Sequence, residues 1–175
     1  MEIEKKYRVK YLPEGYEAYP CKEIEQGYLC ENPVVRIRKS NEDYILTYKS
    51  KFGMEDTSET TAIVNHEVEV PLNKEGYEHL KGKTDGNLII KKRYLIPLKG
   101  TSNADLEVEL KAELDVFEGC LAGLMIVEVE FDSEQSAGEF IPPEWFGEDV
   151  TFDKRYANKN MIYIKDLCEM ELYKK

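Results

Sequence analysis

Short segments in which charged and apolar residues alternate make up most of this chain of 175 residues. Successive side chains of a β-strand point to opposite faces, so this period of two predicts strands that are charged on one face and apolar on the other. Turn-like sequences such as "LPEG", "SNED", "FGMED", "KTDGN" and "KGTSN" separate the segments. We predict eight strands, near residues 2–11, 24–30, 34–40, 43–50, 60–71, 88–98, 105–117 and 124–131.

Three further segments have the sequence features of short helices. They are residues 73–83, residues 133–140 and residues 154–165, the last with Asp153 as its N-cap. No linker or low-complexity tract divides the chain, and 175 residues are enough to bury a core within one domain. We therefore expect one mainly β (α+β) domain that spans residues 1–175.

Composition limits the partners and the compartment. The formal net charge of -11 repels nucleic acid, because non-specific binding requires Lys and Arg to neutralise phosphates. No apolar run reaches the roughly 18 residues that cross a bilayer. The four cysteines are scattered without metal-ligand spacing, which is typical of reduced thiols in a cytoplasmic protein. We predict no nucleic-acid partner, no membrane partner and a cytoplasmic location.

The charged faces are sorted by sign. Some strands carry bases two residues apart and others carry acids at that spacing, so each set shares one face, while the first strand carries both signs. An open sheet with one solvated side would explain any single strand of this kind. The bases are Lys6, Arg36, Arg38, Lys49, Lys91 and Arg93, and the acids are Glu2, Glu4, Glu67, Glu69, Glu113, Asp115, Glu128 and Glu130.

Eight strands are also the number that closes into a barrel with a small ligand cavity. If the charged faces turn inward, the lumen collects carboxylates and cations, and the apolar faces point outward. Those outer faces then need cover, which the predicted helices would supply. We predict a closed eight-stranded antiparallel β-barrel that forms a tunnel, with helices packed on its outside.

A lumen with both signs of charge suits a polyphosphate bound together with a divalent metal. Carboxylate oxygens bind Mg²⁺ or Mn²⁺, and the metal bridges phosphate oxygens. Arg side chains bind phosphate through two points, whereas Lys acts as a point charge. Bases gathered inside the barrel would also reconcile an anionic ligand with the net charge of -11.

The segment "EIEKK" in the first strand matches the E-x-E-x-K signature of the CYTH superfamily, the triphosphate tunnel metalloenzymes. "EQGYL", "RIRK", "TYKS", "HEVEV", "KKRYL", "ELDVFEG", "LMIVEVEF", "FIPPEWFGEDVT" and "DKRYANK" follow in the order of a bacterial member. The chain thus resembles this family over almost its whole length. The resemblance implies an eight-stranded tunnel and metal-dependent hydrolysis of triphosphates. The longer stretch "GTSNADLEVELKAELDVF" leaves the register of Glu107, Glu109 and Lys111 open.

The resemblance also implies a role for each matched position. Lys6 and Tyr28 are the catalytic candidates, since the family tyrosine acts beside the signature lysine. Glu2, Glu4, Glu128 and Glu130 resemble ligands of Mg²⁺ or Mn²⁺. The matching phosphate-binding bases are Lys6, Arg36, Arg38, Lys49, Lys91, Arg93 and Arg155, with Lys159 beside them, and Glu67, Glu69, Glu113 and Asp115 match an acidic wall.

Several of these residues have a second interpretation from the sequence. Tyr28 suits a packing role equally well, and Lys159 suits a solvated helix surface. Glu67 and Glu69 suit simple salt bridges. Trp145 is interpreted as core or lid packing rather than a base-stacking platform. The two histidines, His66 and His79, fall outside the matched set and receive no catalytic role.

Four functions compete with hydrolysis of the terminal phosphate of inorganic triphosphate, of nucleoside triphosphates, or of both. A class IV adenylate cyclase and a thiamine triphosphatase would share the fold. A non-catalytic polyphosphate-binding module and a β-sandwich with solvated charges belong to other classes. Burial of Arg36, Arg38 and Lys49 would exclude the sandwich. The sequence leaves open the physiological substrate, the metal and its number, and whether the protein is a monomer or a homodimer.

Overall fold

The computed structural model describes residues 2–51, 61–98 and 110–172. The predicted turns "FGMED" and "KGTSN", the start of the predicted strand 105–117, and Glu107 and Glu109 lie outside these ranges. The strands are β1 (Glu2–Val9), β2 (Cys21–Glu31), β3 (Val34–Ser40), β4 (Asp43–Ser50), β5 (Ile63–Pro71), β6 (Asp85–Pro97), β7 (Lys111–Phe117), β8 (Met125–Phe131) and β9 (Phe146–Asp149).

Eight of the strands close into an antiparallel barrel, as the alternating pattern predicts. Their order is β5-β4-β3-β2-β6-β7-β8-β1, and a pairing between β5 and β1 completes the circle. Glu4 lies across from Glu130 on β8 and from Ile63 on β5, so β1 joins the two ends of the sheet. The short strand β9, which the sequence pattern did not reveal, pairs with the other end of β1.

The helices are shorter than predicted. They are α1 (Lys74–Lys81), α2 (Glu134–Glu139), α3 (Asn158–Met161) and α4 (Leu167–Leu172). The predicted helix 154–165 is wrong as a single element, because a 3-10 turn at Lys154–Tyr156, α3 and non-helical residues occupy that range. Asp153 caps the 3-10 turn by accepting a hydrogen bond from the backbone N–H of Arg155 at 3.0 Å.

Most of the apolar core lies outside the barrel. The outer faces of β1, β7 and β8 pack against α2 and the segment that leads to β9, with Phe140, Trp145 and Phe146 in the layer between them. Trp145 is buried there, edge-on to Phe146. This arrangement confirms that the apolar faces point outward and need cover, since burying them supplies most of the folding free energy.

A second apolar cluster explains where the C-terminal helices go. Met161 and Ile162 pack against Ile89, Phe117 and Ile126, which occupy inner-face positions of β6, β7 and β8. The C-terminal segment therefore lies against one end of the barrel interior, rather than on the outer face as predicted. In the described part of the chain, no helix is long and apolar enough to span a membrane.

Candidate active site

The barrel encloses a cavity of about 750 Å³. The inner faces of all eight barrel strands contribute to its walls, and residues 151–159 form the remaining side. Eight basic and nine acidic residues line it, so a third of the 24 bases face one space in a chain of net charge -11. The bases are Lys6, Arg36, Arg38, Lys49, Lys51, Arg93, Lys154 and Lys159. The predicted concentration of bases inside the barrel is thus present, and the β-sandwich alternative is wrong.

One wall of the cavity is an ion-pair network around Glu128. Its carboxylate contacts Nζ of Lys6 at 2.8 Å and Nη2 of Arg93 at 2.5 Å. Although burial lowers the pKa of Lys6, the charges of Glu128 and Glu4 outweigh that effect and raise the pKa above its ordinary value. Lys6 therefore stays an ammonium ion at neutral pH and can donate to an anion, but it cannot act as a base.

Arg93 is fully engaged by acidic side chains. Its Nε and Nη2 bind the two oxygens of Asp115 at 2.7 and 2.6 Å, and Nη1 binds Glu113. Lys91 pairs with the same Asp115, through the Oδ2 atom that also contacts Nη2 of Arg93. Lys91 and Asp115 are buried and do not line the cavity. The structure thus places these two sequence candidates outside the cavity lining, where Asp115 holds Arg93 and Lys91 pairs with Asp115.

The opposite wall is a second network on β3, β4, β5 and β1. Arg36 donates to Thr47 Oγ1 at 3.1 Å and to Glu67 at 3.4 Å. Lys49 lies 3.1 Å from Glu67 and 2.5 Å from Glu2, which links this wall to the first strand. Thr47 was not a candidate from sequence, although it shares a face with Lys49.

Arg38 differs from the other arginines of the cavity. Within the described residues its guanidinium makes no salt bridge, and its buried Nε has no hydrogen-bond partner. Burial, followed by the charges of Arg36 and Arg93, lowers the pKa of Arg38 to about 10. A cation with this surrounding is stabilised by an incoming anion. Among the described residues, Arg38 is therefore the cavity arginine that is left for a ligand.

Three carboxylates crowd together on β1 and β8. Glu4 lies directly across from Glu130, an arrangement that is unfavourable for like charges. Burial and then the charge of Glu4 raise the pKa of Glu2 to about 8. Burial and the charges of Glu113 and Glu4 likewise raise the pKa of Glu130. A cation bound among these oxygens would relieve the repulsion.

The metal candidates do not all fit that role. Burial raises the pKa of Glu128, but the charges of Lys6 and Arg93 outweigh it and hold that pKa well below the ordinary range. Glu128 is therefore already neutralised by two bases, whereas among the described residues Glu2 has one salt bridge, to Lys49, and Glu4 and Glu130 have none. Among the described residues, no three His, Cys, Asp or Glu side chains form a ready-made metal cage. Mg²⁺ is commonly held by one or two carboxylates plus substrate phosphates, and Glu2, Glu4 and Glu130 fit such a shared cation.

The remaining candidates divide between the cavity and its outside. Tyr28 lines the cavity and accepts a hydrogen bond from Nε2 of Gln26 at 3.2 Å. Lys159 also lines it and donates to the backbone oxygen of Glu31 at 3.1 Å. Arg155 does not line it, because its guanidinium pairs with Asp153 and lies beside the ring of Tyr156. Gln26 was missed, although its spacing from Tyr28 placed it on the same face.

Known proteins resemble this chain in both sequence and structure. No protein-family model matches it. The inorganic triphosphatase of Nitrosomonas europaea is 39% identical over 162 residues, which cover 90% of this chain and 94% of that protein. The inorganic triphosphatase of Acetivibrio thermocellus is 32% identical over 168 residues and 92% of each chain. The crystal structure of an inorganic triphosphatase, 36% identical, superimposes with a TM-score of 0.62 over 93% of this chain and 95% of that one.

A closed antiparallel barrel whose lumen is lined by acids and bases is suited to charged ligands that bind inside a tunnel. The sequence identities of 39% and 32%, each over at least 90% of this chain, relate it specifically to the two inorganic triphosphatases. The chain belongs to the CYTH superfamily, the triphosphate tunnel metalloenzymes.

Proposed function

We propose that the protein is a divalent-metal-dependent triphosphatase. It hydrolyses the terminal phosphate of inorganic triphosphate, of nucleoside triphosphates, or of both. The two curated relatives, which are named inorganic triphosphatases, support this proposal. One structural observation carries it: Arg38, enclosed in the cavity and unpaired among the described residues, provides a positive charge for a polyanion.

The bases of the cavity have distinct tasks in this proposal. Arg38 and Arg36, two residues apart on β3, bind phosphate oxygens in the two-point manner of guanidinium groups. Lys6 donates from the opposite wall and neutralises charge that develops on the transferred phosphoryl group. Lys49 and Arg93 complete the positive lining, while Asp115, itself paired with Lys91, keeps Arg93 in place. Hydrolysis needs mainly this positioning and charge compensation.

Glu2, Glu4 and Glu130 would hold the metal, for which we propose Mg²⁺ or Mn²⁺. A cation held there would supply positive charge that offsets the negative charge of the phosphate oxygens. Glu128 has a different task, since its contacts at 2.8 Å to Lys6 and 2.5 Å to Arg93 keep both bases oriented toward the cavity. Glu67 orients Arg36 and Lys49 in the same way on the opposite wall.

We place the protein in the cytoplasm as a monomer or homodimer with a small triphosphate compound as its partner. The cysteines Cys21, Cys30, Cys120 and Cys168 are all free, which agrees with a reducing compartment.

A phosphate-release panel tests the function. Inorganic triphosphate, pyrophosphate, ATP and thiamine triphosphate are each incubated with the protein and Mg²⁺ or Mn²⁺. We expect release of one phosphate from inorganic triphosphate or ATP and none from pyrophosphate. Cyclic AMP as the product of ATP would instead establish a cyclase, and exclusive turnover of thiamine triphosphate a thiamine triphosphatase. Binding of triphosphate without turnover under all conditions would establish a polyphosphate-binding module.

A further inference from the structure

Gln26 is a polar side chain that the protein interior encloses completely. Its exposed fraction is 0%, and it lies on the inner face of β2, two residues before Tyr28. In the strand register it faces Arg38 on β3 and Ile89 on β6. Gln26 itself does not line the cavity, whereas Tyr28 and Arg38 do. It therefore lies beside two residues of the candidate active site on the same face of the sheet.

The hydrogen bonds of Gln26 are unequal. Nε2 donates to the hydroxyl oxygen of Tyr28 at 3.2 Å, whereas the buried Oε1 has no partner among the described residues. An unpaired buried carbonyl is unfavourable, and an apolar side chain of the same length would avoid that cost. Packing alone thus gives no reason for an amide at this position, whereas the hydrogen bond to Tyr28 requires one.

That bond fixes what the Tyr28 hydroxyl can do. Because its oxygen accepts from Gln26, its own proton remains available to a different acceptor. Tyr28 and Lys6 both line the cavity, so the hydroxyl and the signature lysine belong to the same lumen. The amide of Gln26 thus holds the Tyr28 hydroxyl in a position from which it can donate to a phosphate oxygen.

We propose that Gln26 is a positioning residue for the reaction, and that it acts through the hydroxyl of Tyr28. The inference rests on the proposed triphosphatase function and adds a residue to it. Gln26 touches neither substrate nor metal. It lowers the barrier by keeping the Tyr28 hydroxyl in one orientation, which the reaction would otherwise have to select.

A double-mutant cycle tests the inference. Gln26→Met keeps the length of the side chain and removes the amide, and Tyr28→Phe removes the hydroxyl on which it acts. The kcat and KM for inorganic triphosphate are measured for the parent, both single variants and the double variant, alongside thermal unfolding. Thr47→Val is the matched control, since Thr47 is equally buried but bonds Arg36 and Glu69 rather than Tyr28.

We expect Gln26→Met to lower kcat about tenfold, or about 1.4 kcal/mol, with KM changed less than twofold. In the Tyr28→Phe background the same substitution should change kcat less than twofold, because the hydroxyl is already gone. Thr47→Val should lower activity by the same factor in both backgrounds. If Gln26→Met does not fold, Gln26→Leu replaces it, since its side chain also lacks the amide donor.

If Gln26→Met lowers kcat by the same factor in the parent and in Tyr28→Phe, Gln26 supports the structure and does not act through the Tyr28 hydroxyl. If Gln26→Met leaves kcat unchanged in the parent, Gln26 has no part in the reaction. Both results overturn the inference while leaving an active parent, and hence the proposed function, intact. A parent that releases phosphate from no triphosphate would refute the proposed function and this inference together.

Discussion

Arg38 and Arg36 form a matched pair for one decisive experiment. They lie two residues apart on the same face of β3, but Arg36 is paired with Thr47 and Glu67, whereas Arg38 has no ionic partner among the described residues. Alanine at either position should lower triphosphate hydrolysis at least about 100-fold, or roughly 2.7 kcal/mol. Their effects on the free energy of unfolding should be opposite in sign.

The expected change in the free energy of unfolding for Arg38→Ala follows from the pKa of Arg38. Burial and the charges of Arg36 and Arg93 lower it from 12.5 to about 10. At pH 7, which is below both pKa values, Arg38 is protonated in the folded and in the unfolded protein. Placing the charged guanidinium in the folded protein therefore lowers the free energy of unfolding by roughly 3 kcal/mol. Arg38→Ala relieves that cost but loses contacts of the aliphatic stem worth about 1–2 kcal/mol. The net result should be a variant about 1–2 kcal/mol more stable than the parent.

Arg36→Ala should instead lose about 1–3 kcal/mol, because Thr47 and Glu67 then lose a partner inside the protein. Denaturant unfolding at pH 7 without ligand measures both variants, and phosphate release measures activity. Arg38→Lys should restore only part of the activity, because an ammonium group lacks the two-point geometry of a guanidinium. The reasoning is refuted if Arg38→Ala is as destabilising as Arg36→Ala, or if it keeps near-parental activity.

Three other predictions concern Lys6, the metal and Lys91. Lys6→Ala should lower triphosphate hydrolysis at least about 100-fold. Lys10→Ala, at an exposed position directly after the same strand, should leave hydrolysis unchanged, and equal activity of the two variants would contradict the role of Lys6 in binding phosphate. EDTA should abolish activity and Mg²⁺ or Mn²⁺ restore it, with Glu130→Gln requiring more metal; full turnover in excess EDTA is the contrary result. Burial and Arg93 lower the pKa of Lys91 to about 8, so the folded protein releases this proton before the unfolded chain does. As the pH rises from 8 to the ordinary lysine pKa of 10.5, the free energy of unfolding of the parent should therefore increase relative to that of Lys91→Met by up to roughly 3 kcal/mol. A difference between the two proteins that stays constant over this pH range would refute the prediction.

Much of the fold was predictable because strand parity is a local property. Alternation along each segment is enough to decide which side chains share a face, so the common face of Arg36 and Arg38, and that of Glu4 and Lys6, follow from spacing alone. Eight such segments and a family signature then predicted the barrel. The pattern failed where the chain leaves that periodicity. Residues 154–165 contain helix-forming and apolar residues, but their apolar side chains pack against the barrel end instead of continuing one helix.

Roles within the cavity depended on the tertiary structure. Six bases looked alike in the sequence, yet Lys91 pairs with Asp115 outside the cavity lining, Arg93 is occupied by three carboxylates, and Arg38 is unpaired among the described residues. Those differences arise from the register between strands that are far apart in the chain, which decides which acid meets which base. The sequence determined that charges of both signs would face one lumen. Only the closed barrel decided which of them neutralise one another and which remain for a ligand, because an ion pair depends on distances that no local pattern contains.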